Sequence, residues 1–190
     1  MDWKRKIRDL WIDFLFWIRF YILGQMFQQR GLGYVASRIM RNATEFADAF
    51  VPFYGQENAK RLEELLNRHI LLLSEYAATL KTEQNIEEQR LLLYANAAEL
   101  AEFLASVNPH WDTAKWMELL YQRFSLEESL LWRLKREDFR AAIEQFDVAH
   151  LNAQRIAKYM IDGIAAQFQL PALAEDDSML EPAAQMPGQS

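Results

Sequence analysis

Seven polar residues set into apolar runs carry most of the chemistry that this chain can offer. His69 stands in the middle of the stripe Leu62, Leu66, His69, Leu73, Tyr76, Leu80, whose steps of three and four are those of one helix face. His150 has the same place in Phe139, Ile143, Phe146, His150, Ala153, Ala157, Met160 and Ile164. Asp147 precedes it by one turn, where a carboxylate can orient an imidazole. Asn96 and Glu99 lie beside the row Leu93, Ala97, Leu100 and Leu104, near the boundary of the core. Asp13 and Arg19 interrupt "LWIDFLFWIRFYIL", residues 10–23, and stand about 120° apart around a helix, so they do not pair along one face. Each therefore needs a partner from another helix, because an unpaired buried ion costs several kcal/mol.

Together Asp13, Arg19, His69, Asn96, Glu99, Asp147 and His150 predict a polar layer inside a helical core. Such a layer is either a completed hydrogen-bond network or a holder for a ligand. His69, Glu99, Asp147 and His150 have the donor types for a single divalent metal, which would open oxidoreductase chemistry. A ferritin-like dinuclear centre needs two Glu-x-x-His pairs, and the chain has none; Asp147 with His150 is the nearest counterpart. His110, in "NPHWD", reads as a loop or cap residue. The six Trp and twelve Phe read as core and interface mass. No phosphate-cradling loop, dinucleotide fingerprint, nucleophile elbow or His-Glu-x-x-His occurs. Without cysteine, disulfides and thiolate sites are excluded, which suits a reducing cytoplasm. The expected role is binding or interaction rather than catalysis, with a metal- or small-ligand-binding bundle as the alternative.

The elements that must position these residues are helices. Gly31 and Gly33, Pro52 and Gly55, and Pro109 punctuate the chain, and neither residue occurs in 56–108 or 110–162. No run of alternating Val, Ile and Thr marks a strand. Asn85 with Glu88, Asp112, and "SLEE" at Ser125 to Glu128 offer helix starts. The pattern predicts an all-α fold: a four-helix bundle of long helices near 3–29, 56–81, 84–106 and 137–168, with additional short connecting helices at 32–53 and 113–135. Residues 1–168 then form a single domain. Residues 169–190, with three of the five prolines, four acids and no base, read as a disordered acidic tail.

Charge is uneven: residues 1–41 carry eight Lys or Arg against three Asp, leaving a net −11 on the remainder of a chain of net charge −6. The basic end either packs against acidic faces of its own bundle or meets an anionic surface. No nucleic-acid motif accompanies it, so no nucleic-acid partner is expected. The apolar stretch from 10 to 27 gains about 3 to 6 kcal/mol on an insertion scale, against about 4 to 7 for its Arg and Asp, so no transmembrane span is expected. The basic aromatic start "MDWKRKIR" leaves peripheral membrane contact open, while no secretory signal pattern is present. A helix apolar all round is normally buried all round, by its own bundle or by a second copy in a homodimer.

The segments "LWIDFLFWIR", "RIMRN" with "FYG" following, "RHILLL", "NAAELAEFLASVNPHW" and "YMIDGIAAQF" resemble an uncharacterised family of small all-helical proteins from Gram-positive bacteria. The likeness covers about residues 10–168 and implies a bacterial, all-helical protein with no established activity. It implies further that histidines often stand where this chain has Phe14 and Arg123, while His69, Asn96, Glu99 and Asp147 agree. Those two differences weaken a metal site in this chain.

Overall fold

The computed structural model describes residues 2–171, all of whose regular elements are helical. In chain order they are α1 (Trp3–Met26), α2 (Leu32–Thr82), α3 (Ile86–Val107), α4 (Thr113–Lys135) and α5 (Phe139–Gln167). The acidic tail expected beyond Phe168 lies, after residue 171, outside the described residues. Among the described residues, no helix is long and apolar enough to cross a membrane.

Local chemistry sets the ends. Asp2, Asp112 and Asp138 cap α1, α4 and α5, each accepting a backbone amide of the first turn that would otherwise lack a partner. The α2 segment is really two arms, 32–54 and 56–82, joined at Gly55, whose φ of 75° and ψ of 172° suit a residue without Cβ. Pro52, one turn earlier, cannot donate an amide to the ladder and favours the same break. The arms lie alongside one another, since Thr44 donates to Glu63 at 2.6 Å across the turn. The two helices expected at 32–53 and 56–81 are therefore present as separate arms.

The helix expected at 113–135 is present with those bounds as α4; with 23 residues beside the 22 of α3, it packs as one of the main helices rather than as a short connection. "SLEE" is no helix start: Ser125 and Glu128 lie within α4, because Asp112 has already capped it. Around the bundle α1, α2, α3, α4 and α5 follow one another, and α5 closes back on α1. The neighbours α2 and α3 run antiparallel as expected, with Asn96 against Leu65 and Glu99 against Arg61.

Buried side chains repeat at steps of three and four along each helix, as Ile7, Leu10, Trp11, Phe14, Ile18 and Ile22 do on α1. Burying each one contributes about 1.5 to 3 kcal/mol. However, α1 is not covered all round: Phe16 and Phe20 are 40% and 52% exposed. Trp111 packs onto α5 at Gly163, where a Cβ would come within 1.8 Å of the indole nitrogen.

Register is fixed by three buried asparagines, each reaching a main-chain carbonyl of an adjacent helix. Asn42 of α2 donates to Leu10 of α1 at 3.4 Å, Asn96 of α3 to Leu65 of α2 at 3.3 Å, and Asn152 of α5 to Leu119 of α4 at 3.2 Å. A carbonyl that already serves its own helix can accept a second bond, and the asparagine NH₂ supplies the donor without bringing a charge into the core.

Candidate functional site

Of the seven residues expected in a polar layer, the structure brings few together. Asp13 is about half exposed, with 49% of its side chain accessible, and meets Arg38 of α2 at 3.4 Å. Arg38 in turn reaches Glu45 and covers the Trp17 ring. Arg19 donates to the Ala142 carbonyl of α5 at 3.1 Å and lies over Phe146 at 4.9 Å, and burial lowers its pKa. Both charges thus find counterparts on facing helices, as their spacing required, although Asp13 is at the rim rather than inside.

The proposed metal set does not assemble. Glu99 is partly exposed and bound by Arg61 and by Arg68, the latter at 2.9 Å. Asp147 is exposed and makes no bond to His150, which is itself only partly buried. Among the described residues, no three His, Asp or Glu side chains are placed to hold a metal ion. The physical reason is rotational: on α3 and α5 these polar residues fall on the flanks of the apolar stripe, where the helix turns them toward solvent or arginine. Asn96 serves as the helix staple already described.

His69 is the exception, only 1% exposed. Its Nε2 is 2.8 Å from Oε2 of Glu127, and Nε of Arg123 donates to Oε1 of the same carboxylate at 2.7 Å. Arg123 and Glu127 are 2% and 4% exposed. Burial acts to raise the Glu127 carboxyl, but His69 and Arg123 outweigh it and hold the group below the usual carboxylate range. Because the carboxylate accepts, His69 carries a hydrogen on Nε2, while its Nδ1 has no partner. Phe124 stacks on the imidazole at 3.9 Å and Phe14 lies at 6.1 Å. Arg123 also covers the Phe14 ring, so the two positions where the resemblance implies histidine are neighbours at His69.

Beside this cluster, between α1, α4 and α5, lies a cavity of about 20 Å³. Its polar wall is Arg19, Arg123, Glu127 and Gln145; Leu15, Ile18 and Ala149 are among the apolar remainder. Two buried atoms of that wall lack a partner: Nη2 of Arg123 and Oε1 of Gln145. The Gln145 amide is oriented by its other end, since only its NH₂ can donate to the Leu126 carbonyl.

Glu128, next in sequence, turns the other way and ties three helices together. It accepts from Tyr76 of α2 and Arg90 of α3, each at 2.9 Å, and from Tyr94 at 3.2 Å. That network is satisfied and offers no open valence.

Sequence reasoning missed Arg123 and Glu127 as chemistry. The signal was present: Trp116, Leu120, Arg123, Glu127, Leu131 and Leu134 advance by steps of three and four, with the two ions on the apolar stripe. The apparent capping box concealed it.

The chain matches no family model, no curated protein and no solved structure. The site therefore rests on its own geometry.

Proposed function

We propose that this protein is a helical-bundle binding protein whose binding element is the interior ionic cluster, with a small polar ligand held in the cavity between α1, α4 and α5. One observation carries the reading: the Nη2 of Arg123, on a side chain 2% exposed, has no partner although its residue lines that cavity. A buried guanidinium nitrogen without an acceptor loses the full benefit of its hydration, and a bound acceptor restores it. Catalysis has less support, since the cluster holds no nucleophile beside a base. Metal chemistry also has less, because Phe14 and Arg123 offer a hydrocarbon and a cation where imidazoles would be needed.

The test is to compare the wild type with Ala149→Leu, which fills the cavity from α5, in ligand-detected NMR against a panel of small neutral and anionic polar probes. Probes that bind the wild type and not the variant support the reading. A panel that treats the two alike refutes it.

A second reading, self-association, rests on Phe16, Phe20, Phe27, Phe139 and Ile143, which are 40% to 66% exposed along α1 and α5. Phe27 and Phe139 are in contact at 6.0 Å, so the side chains of the two helices form a joined apolar surface. A homodimer through this face predicts a dimer mass in light scattering that Phe20→Glu reduces to the monomer; a monomeric wild type at all concentrations would end it. Peripheral membrane contact has weaker support, because Trp3 packs on Phe53 at 5.2 Å rather than standing free. Membership of the Gram-positive family and a cytoplasmic location belong to the same proposal, on the segments and composition given above.

A further inference from the structure

We infer that the acidic segment 172–190 docks on the basic start of α1, with Glu175, Asp176 and Asp177 held against Arg5 and Lys6. This contact is separate from the interior cluster and stands or falls independently of it.

The receiving surface is positive and incompletely matched. The start of α1 carries Lys4, Arg5, Lys6 and Arg8 against two acids, Asp2 and Asp9. No acid stands in the first helical turn, although that end of a helix is the positive pole of its dipole and favours anions. Both acids are already engaged: Asp2 accepts the Lys4 amide at 3.1 Å, and Asp9 is 4.0 Å from Arg8. Lys4 lies over the Trp3 ring at 5.9 Å. Arg5 is exposed, Lys6 is partly buried, and neither meets a carboxylate among the described residues. The segment beyond α5 is their complement, since 172–190 holds four acids and no base.

The chain leaves the described bundle beside that surface. At the end of α5 the amide of Leu170 donates to the Ala165 carbonyl at 2.9 Å, around Gln169 with its φ of 53°. This left-handed stop turns the chain out of the helix, and Pro171 cannot resume it. The exit is anchored: Leu170 packs on the core, Phe168 meets Phe53 at 5.4 Å, and Phe53 meets Trp3 at 5.2 Å. Arg5 and Lys6 follow Trp3 by two and three residues. Glu175 to Asp177 follow Pro171 by four to six, a reach of about 13 to 20 Å in extended chain. So short a tether holds the acids near the cations at roughly millimolar effective concentration, which lets charge pairs that are weak singly act together.

The chain has no cysteine, so Ser178→Cys gives the full-length protein a single site for a nitroxide label. Paramagnetic broadening of backbone amide signals is read at about 20 mM and about 0.5 M salt. Glu57 and His110, exposed near the same end of the bundle, measure what tethering alone produces. At low salt the amides of Trp3 to Asp9 are expected to lose at least about twofold more intensity than those two, a difference that high salt removes. Charge reversal by Arg5→Glu with Lys6→Glu abolishes the difference. Neutralising the acids by Glu175→Gln, Asp176→Asn and Asp177→Asn does the same and leaves the helical circular dichroism of the bundle unchanged. Broadening at the start of α1 no greater than at Glu57 and His110, or broadening that survives neutralisation of the acids, overturns the inference. So does broadening that arises between chains, in a mixture of ¹⁵N-labelled protein without nitroxide and unlabelled protein carrying it, because the occupant is then the segment of a second copy.

Discussion

His69 of α2 and Glu127 of α4 meet at 2.8 Å in the interior, and Arg123 completes the pairing from one turn earlier on α4. Three ionisable groups so placed are an expensive way to build a core. Their mutual attraction must offset the loss of hydration of each, and apolar residues of similar volume commonly do as well.

Breaking the cluster and replacing it are therefore expected to differ. Glu127→Leu alone leaves Arg123 without its acceptor and is predicted to lose about 3 to 5 kcal/mol of unfolding free energy. The triple variant His69→Phe, Arg123→Met, Glu127→Met is predicted to fold within about 1 kcal/mol of wild type while losing ligand binding. Urea unfolding of both decides the matter: a triple variant less stable than the single one would make the cluster a stability element only.

Glu127 also sets a pH dependence. Its folded carboxyl titrates below the ordinary value of 4.5, so its stabilisation is fully present above that value and is lost as pH falls through the lowered folded value. Stability measured by denaturant unfolding should drop more steeply below about pH 4.5 in the wild type than in Glu127→Gln. Parallel curves would show that the carboxyl gains nothing from its partners on folding.

The asparagine staples predict a sharp contrast between near-isosteres. Asn96→Asp places an acceptor against the Leu65 carbonyl in a site 1% exposed, and is expected to cost about 2 to 4 kcal/mol. Asn96→Leu removes the bond without adding a charge and should cost about half as much. Thermal unfolding distinguishes the two, and equal losses would mean that the amide donor contributes little.

Much of the architecture was legible because hydrophobic period and glycine or proline positions are local signals. The break at Gly55, the antiparallel pairing of α2 with α3, and the need of Arg19 for a distant acceptor all follow from spacing. What failed was rotational phase. Glu99 and Asp147 lie within a residue or two of buried positions, and that small angular difference decides whether a carboxylate faces the core or an arginine at the surface. The cluster itself was half visible: His69 was placed correctly, but α4 was read as a short connecting helix rather than a member of the bundle, so the ions on its stripe were never set opposite it. That His69 and Glu127, 58 positions apart, share one level depends on α2 and α4 running parallel, which no local pattern encodes.

The most direct measurement is ¹⁵N-detected NMR of the arginine and glutamine side chains while the small polar probes of the panel are added in turn to the intact protein. If the cavity is the binding site, the guanidinium of Arg123 and the side-chain amide of Gln145 shift together and saturate at one concentration, with Arg19 following. Shifts confined to solvent-facing arginines such as Arg140, with Arg123 and Gln145 unmoved, would contradict the assignment of function to this interior site.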